Sequence, residues 1–372
     1  MKKVLVWLSG WVDSAVSAYL LKKQGYDVTA GFMINYRDPE NPNCPTRIDK
    51  IEAKKVAEFL DIPFLELDFV DDYTDKVLNY MYEWYKKWIT PNPDIMCNKE
   101  VKFKVFLEEA EKKGFDYIAM GHYVRVVSSK WKVETKSNEL RSSKKDNKIY
   151  HLLKWVDENK DQSYFLAGLS QKQISKALFP IGDLEKPEVR KIAEEIWLPN
   201  AKRKDSQGIC FVWKVKMADF LEKKIKPKPW IVKDTAWNIL GEHKWVYYYT
   251  IGQRKGLDIW GQSKPIFVVK KDIEKNEIIV GTASDLELYD DKLKINNINF
   301  INPEIKEFFK QKNNLKAKCK IRYRQSDQDC EVIKLEDDLY EVSFDKDQRA
   351  IARWQICAVY LWDELVMSGI II

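Results

Sequence analysis

The string Ser9-Gly10-Trp11-Val12-Asp13-Ser14 sets two hydroxyls, a glycine and a carboxylate directly after the apolar run at residues 3–8. If that run is a strand and a helix follows, backbone amides and the helix dipole favour an anion there, with Ser9 and Ser14 as further donors. Asp13 would oppose a phosphate unless it serves Mg2+ or caps the helix. No Gly-Lys-Ser/Thr follows, so this is not the lysine-containing phosphate loop. A capped helix that binds nothing is the plainer alternative.

Two further segments carry thiols. Thr90-Pro91-Asn92-Pro93-Asp94-Ile95-Met96-Cys97 begins with two prolines that stiffen an extended approach, then delivers Asp94 and Cys97 near the start of a helix. The helix N-terminus and Lys99 or Lys102 could lower a thiol pKa there. In the second segment Lys202, Arg203, Lys204 and Gly208 precede Cys210 on an apolar run. Either cysteine alone reads more readily as a small buried hydrophobe. Cys44, Cys319, Cys330 and Cys357 read as packing or surface residues, and with no Cys-x-x-Cys neither a disulfide framework nor a zinc ribbon is expected. His151 and His243 lack metal-ligand spacing and read as structural. The lysine pairs at 144–145 and 223–224 read as solvated faces.

These groups need elements to hold them. Strands are expected at 3–8, 28–32, 64–68 and 117–120, with helices from the loop to about residue 23, at 48–60 and at 172–196. That alternation predicts a doubly wound parallel sheet whose ligands sit at the carboxyl ends of its strands, where residues 9–14 and Gly121-His122 fall. Residues 128–148 read as an exposed hairpin or loop. Beyond residue 211, alternating segments at 245–250, 266–269, 278–280, 315–323, 330–335 and 339–344 predict an all-β remainder. The expected domains are 1–214, 215–284 and 285–372. A length of 372 residues suits two or three domains, and 45% hydrophobic with 32% charged residues describes a soluble chain. No apolar run is long enough to span a bilayer, so the expected location is cytoplasmic, with no membrane partner. A net charge of +6 is compatible with a polyanionic partner without establishing one.

The motifs taken together resemble the tRNA-specific 2-thiouridylases of the PP-loop ATP pyrophosphatase superfamily. Residues 9–14 are similar to the PP-loop Ser-Gly-Gly-Val-Asp-Ser, and the segments around Cys97 and Cys210 to the two cysteine motifs. Gly121-His122-Tyr123, the run Lys160-Asp161-Gln162-Ser163-Tyr164-Phe165-Leu166, the stretch at 249–257 and Arg322-Tyr323-Arg324-Gln325 extend the likeness over essentially the whole chain. The resemblance implies a PP-loop (adenine nucleotide alpha hydrolase-like) α/β domain followed by two small β domains, the last β-barrel-like. It implies ATP-dependent 2-thiolation of the wobble uridine of tRNA by a sulfurtransferase. The uridine 2-carbonyl is adenylated, a Cys210 persulfide delivers sulfur, and the nucleophile Cys97 closes a transient disulfide with Cys210, with Asp94 as acid/base. Trp7, Leu8, Ser9, Gly10, Trp11, Val12, Asp13, Ser14, Met33 and Gly121 would hold ATP. Asn92, Pro93, Asp94, His122, Lys160, Asp161, Gln162, Arg322, Tyr323 and Gln355 would meet tRNA. Implied partners are ATP with Mg2+, tRNA of the Lys, Glu and Gln acceptors, and a persulfide-donating sulfur carrier or cysteine desulfurase.

The tryptophans depart from that pattern. The chain has 14 Trp and only 14 Gly, where glycine ordinarily makes up about 7% of residues. Trp11, Trp88, Trp155, Trp197, Trp213, Trp230, Trp237, Trp245, Trp260, Trp354 and Trp362, together with Trp7, fall where the resembled family has glycine. At residue 11 glycine would let the backbone approach phosphate and take positive φ, whereas an indole would fill that space. The expectation is that the source reads UGA as glycine while the printed sequence renders it as tryptophan; a degenerate inactive homologue is the alternative. The remaining rivals are another PP-loop pyrophosphatase or ligase and a non-catalytic tRNA-binding homologue.

Overall fold

The computed structural model describes residues 1–37, 44–87, 89–130, 148–157, 160–204, 221–222, 228–272 and 274–372. Its first unit is built on a parallel sheet of β1 (Lys3–Trp7), β2 (Asp27–Ile34), β3 (Phe64–Asp68), β4 (Tyr117–Ala119) and β7 (Ala177–Leu178), in the order β3-β2-β1-β4-β7. Val4, Leu5 and Val6 are all fully buried, as a central parallel strand covered on both faces requires. The strand order reverses between β1 and β4, and the helix Val12–Lys23 leaves the sheet at that point. This is the doubly wound α/β architecture expected.

The expected helix over 172–196 is broken. Two helices, Gln171–Ser175 and Lys186–Glu195, are separated by β7 and by Phe179-Pro180, where proline interrupts the hydrogen-bond ladder. The expected hairpin is present as β5 (Arg125–Lys130) against β6 (Lys148–Leu153), with its tip outside the described residues.

A four-stranded sheet follows, in which β10 (Ile266–Asp272) and β11 (Glu277–Thr282) join β8 (Trp230–Asp234) and β9 (Ile239–His243). Residues 245–250 are not the strand their alternation suggests; Val246–Tyr248 forms a 3-10 turn that tucks Val246 and Tyr249 inward. The last unit is a closed antiparallel barrel of six strands: β12 (Tyr289–Phe300), β13 (Asn314–Lys320), β14 (Gln328–Glu336), β15 (Leu339–Arg349), β16 (Ile356–Leu361) and β17 (Glu364–Ile371). Pairing of β12 with β17 shuts it. The helix Pro303–Gln311 interrupts the expected all-β remainder and turns Ile305 and Phe309 inward. Cys319, Cys330 and Cys357 are buried in the barrel, and Cys44 is buried in the first unit.

The units share cores. Cys97 and Val101 pack with Tyr82, Tyr85, Trp245, Val246 and Tyr249, so the central sheet covers the Cys97 helix. A buried polar cluster joins the first unit to the barrel. The Asp161 carboxylate accepts from Trp155 N, Ser163 N and Ser163 Oγ, and Lys320 Nζ lies 3.4 Å away. Lys154 Nζ pairs with Asp327 at 2.5 Å and lies 4.6 Å from the Tyr360 ring centre. Such groups persist in a low-dielectric interior only when mutually satisfied.

Candidate active site

The loop at residues 9–14 lies at the carboxyl end of β1, beside the point where strand order reverses. Its turn rests on Gly10, at φ +83°, where an added Cβ would stand 2.5 Å from Asp49 O. Ser9 N donates to Ser14 Oγ at 3.1 Å, and Ser14 Oγ donates to Trp11 O at 2.9 Å. Trp11, at the N-cap position, supplies no side-chain cap to the helix that opens at Val12, whose first amides point along the axis. From β4, Gly121 comes so close that a Cβ would meet Ser14 N at 2.9 Å, so glycine there serves the contact between loop and strand. Met33 is buried at the end of β2. Trp7 ends β1 and Leu8 is buried behind it, with Leu8 N bonded to Gly31 O.

Four polar side chains hold this loop, and two of them, Lys186 and Asn200, the sequence did not single out. Lys186 Nζ stands 2.6 Å from Asp13 Oδ1, and Tyr123 OH donates to the same oxygen at 2.7 Å. Asn200 Nδ2 and Arg203 Nη1 both donate to Gly10 O, at 2.9 and 3.0 Å, while Arg203 Nη2 pairs with Asp49. The Arg203 guanidinium also lies 3.8 Å from the centre of the Trp11 ring. Trp11 itself is extended, at φ −97°, so the positive φ expected at residue 11 belongs to Gly10. What glycine at 11 would supply is space.

Asn92 caps the turn Pro93–Met96, its Oδ1 accepting from Ile95 N at 3.2 Å. Asp94 therefore stands in the first turn, and Cys97 one turn further in, where a π-type stretch Cys97–Val105 begins. The first-turn amides thus serve Asp94 more directly than Cys97. Cys97 is fully buried, and the Lys102 ammonium, also buried, lies 4.6 Å from the Trp7 ring centre. Ile95 and Phe103 pack with Met33 and Leu5, which sets this helix against the carboxyl ends of β1 and β2. Gln355 Nε2 donates to Thr90 O, and Asn92 Nδ2 reaches Gln355 Oε1 at 3.5 Å, so the barrel meets the Asn92-Pro93-Asp94 corner.

The other residues expected at a tRNA surface divide. Arg322 is exposed, Lys160 and Tyr323 are half-buried, and Tyr323 stacks on Phe165 at 4.4 Å. Asp161 and His122 are buried in this structure: Asp161 serves the seam with the barrel, and His122 packs among Phe103 and Phe179. Burial, with the Lys102 charge second, holds the His122 imidazole well below the ordinary histidine range. Gln162 Oε1 accepts from Tyr123 N, which ties this run to the nucleotide-side turn. His151 bonds Glu364 and Ser129, and His243 bonds Asn276 O, as structural histidines do. Cys210, Trp88, Trp213 and the lysines at 144–145 and 223–224 lie outside the described residues.

The tryptophans also divide. Trp197, Trp237, Trp354 and Trp362 hold φ of 59°, 69°, 71° and 51°, a region that favours glycine. Trp197, Trp260 and Trp362 are more than 80% exposed. Trp155 behaves otherwise: it is buried, its indole N–H donates to Leu184 O at 2.9 Å, and its ring meets Tyr123 at 4.3 Å.

Comparison with known proteins accounts for nearly the whole chain. Residues 2–214 match the family model described as a tRNA methyl transferase HUP domain. Residues 218–282 match a tRNA methyl transferase PRC-barrel domain, and 290–371 an aminomethyltransferase beta-barrel domain. A tRNA-specific 2-thiouridylase MnmA of Flavobacterium johnsoniae is 39% identical, over 100% of this chain and 100% of that protein. Proteins of the same name are 43% identical in Pseudoalteromonas translucida, over 99% of this chain and 97% of that one, and 42% identical in Lysinibacillus sphaericus, over 99% and 94%. With full-length relatives at this identity and family models covering residues 2–214, 218–282 and 290–371, the chain belongs to the tRNA-specific 2-thiouridylase family.

Proposed function

We propose that this protein is a tRNA-uridine 2-sulfurtransferase that uses ATP to thiolate the wobble uridine. One observation supports the reading: the helix after β1 opens at the carboxyl end of the parallel sheet, and the Asp94–Cys97 segment packs through Ile95 and Phe103 on Leu5 and Met33 of that same sheet. Residues 7–14, with Met33 and Gly121, take ATP. The uridine 2-oxygen attacks the α-phosphorus and pyrophosphate leaves. The terminal sulfur of a Cys210 persulfide then attacks C2, and AMP departs with the old oxygen. The Cys97 thiolate attacks the bridging sulfur on Cys210, closing a Cys97–Cys210 disulfide and releasing 2-thiouridine. A thiol reductant supplies the two electrons that restore both cysteines, and a persulfide carrier or cysteine desulfurase reloads Cys210. Asp94, in a first turn whose amides favour its anion, exchanges a proton with the base.

Arg203 and Lys186 are positioning residues here. Arg203 fixes the Gly10 carbonyl and Lys186 fixes Asp13. With Asp13 engaged, and no cluster of three candidate ligands among the described residues, the side chains do not fit a protein-held Mg2+. The expected Mg2+ is assigned to the phosphates of ATP. The native residue 11 in this reading is glycine. The acceptors are tRNAs for Lys, Glu and Gln, met through Asn92, Pro93, Asp94, Lys160, Arg322, Tyr323 and Gln355, and the protein works in the cytoplasm. Among the described residues no helix is long and apolar enough to cross a membrane. The domain partition proposed is 1–214, 215–284 and 285–372. Formation of AMP and pyrophosphate that depends on uridine-34 tRNA tests the reading; tRNA-independent amidation or ligation of a small substrate would contradict it.

A further inference from the structure

At the seam between the central sheet and the barrel, Arg322 meets the Arg349 backbone, and neither arginine has a carboxylate partner among the described residues. Arg322, in the turn after β13, donates through Nη1 to Arg349 O at 2.6 Å. Arg349 ends β15, with its guanidinium 4.1 Å from the centre of the Phe267 ring on β10. Its Nε and Nη2 are buried and have no hydrogen-bond partner. Among the described residues, no carboxylate forms an ion pair with Arg322, Arg324 or Arg349. Asp290, opposite Gln348 on β12, uses its carboxylate on Lys292 N.

The pair is held in place. Gln325 Oε1 accepts from Ile321 N, and Gln325 Nε2 donates to Gln348 Oε1 at 2.9 Å, which locks the Arg322 turn to the end of β15. The next residue, Ala350, stands at φ 58° against Gly252, where an added Cβ would lie 2.5 Å from the Ala350 Cβ. The exposed Arg254 and Lys255 follow on that central turn. Although Arg322 keeps an exposed surface, partial desolvation of its guanidinium, with the neighbouring Arg349 charge second, lowers its pKa. Orphaned buried donors on a cation are costly, and a planar guanidinium matches the oxygens of a phosphate.

We propose that Arg349 and Arg322 form a clamp for one backbone phosphate of the bound tRNA at this seam. The clamp rests on the thiouridylase reading above and adds Arg349 to its RNA surface. Fluorescence anisotropy of the full chain with an unmodified tRNA transcript across a range of NaCl concentrations tests it. Loss of a charge-assisted contact in R349Q should weaken binding about tenfold. It should also reduce the slope of log K against log salt by about one unit. R349K keeps the charge and should keep the wild-type slope while losing part of the affinity. Wild-type affinity and slope in R349Q would overturn the clamp. So would equal weakening in both variants at unchanged slope, which marks packing against Phe267. Inorganic pyrophosphate that competes with tRNA in the wild type but not in R349Q would assign the site to the reaction product and overturn the RNA clamp. A wild-type chain that binds no tRNA would instead remove the thiouridylase reading itself.

Discussion

Replacing Trp197 by glycine should stabilise the first unit. The helix Lys186–Glu195 ends in a Schellman arrangement: Trp197 N donates to Glu194 O at 3.0 Å and Leu198 N to Ala193 O at 2.9 Å. Trp197 occupies the left-handed position at φ 59°, with 84% of its surface exposed. A side chain there costs about 1–2 kcal/mol, and so exposed an indole returns little packing. The greater freedom of glycine in the unfolded chain takes back about 0.4–1 kcal/mol. The net gain lies between about 0 and about 1.6 kcal/mol, or up to roughly 6 °C in melting temperature for a unit of this size. Differential scanning calorimetry of W197G beside W155G reads both directions at once. Trp155 is buried and hydrogen-bonded, so its loss should cost about 3–5 kcal/mol. A W197G protein destabilised by more than about 0.5 kcal/mol would refute the argument that this position is built for glycine.

Other outcomes follow from the same geometry. W11G should remove the indole under Arg203 and tighten ATP about tenfold or more in isothermal titration; unchanged affinity would mean that residue 11 does not line the phosphate site. C97S and C210S should each abolish 2-thiouridine while leaving pyrophosphate exchange within about twofold, since adenylation needs neither thiol; loss of exchange in C97S would place that thiol in the first step. Folding keeps His122 neutral below its ordinary 6.5. The unfolded chain therefore binds the extra proton first, and stability should fall by up to about 1.4 kcal/mol per pH unit as pH drops below that value. H122F, seated between Phe103 and Phe179, should flatten that slope in urea melts at a series of pH values; an unaltered slope would show that His122 is charged in the fold. Intact-mass spectrometry of the native protein should show glycine at residues 197, 237, 354 and 362; tryptophan there would dismiss the recoded-codon account.

What could be read from the chain alone was whatever lies close together in it. The run at 3–8 and the polar turn after it announced a strand, loop and helix, because burial on both faces and an anion-ready helix start leave local marks. The partners of that turn did not. Lys186 and Tyr123 reach Asp13 from 173 and 110 residues away, and no spacing rule connects them. Arg203 lay in a segment already singled out for its cysteine, but its bond to Gly10 O belongs to the fold. Asp161 and His122 sit in motifs that resemble RNA-facing ones, yet packing turns both inward, and periodicity could not reveal that in runs so short. The helix expected over 172–196 failed at Phe179-Pro180, a breaker visible in the sequence that the apolar pattern outweighed. At residues 245–250 the alternation was real, but a 3-10 turn buries the same side chains. Closure of the barrel between β12 and β17 depends on strands nearly at opposite ends of the unit, and the alternating segments could suggest such strands but not their pairing.

The central claim is sulfur delivery to the wobble uridine. The most direct measurement is mass spectrometry of nucleosides from a thiolation-deficient host that carries this gene with the tryptophan codons at residues 11, 197, 237, 354 and 362 restored to glycine. The account predicts 2-thiouridine in the tRNAs for Lys, Glu and Gln, and none when Cys97 or Cys210 is serine. Persistent absence of 2-thiouridine from a well-expressed, folded protein would contradict it.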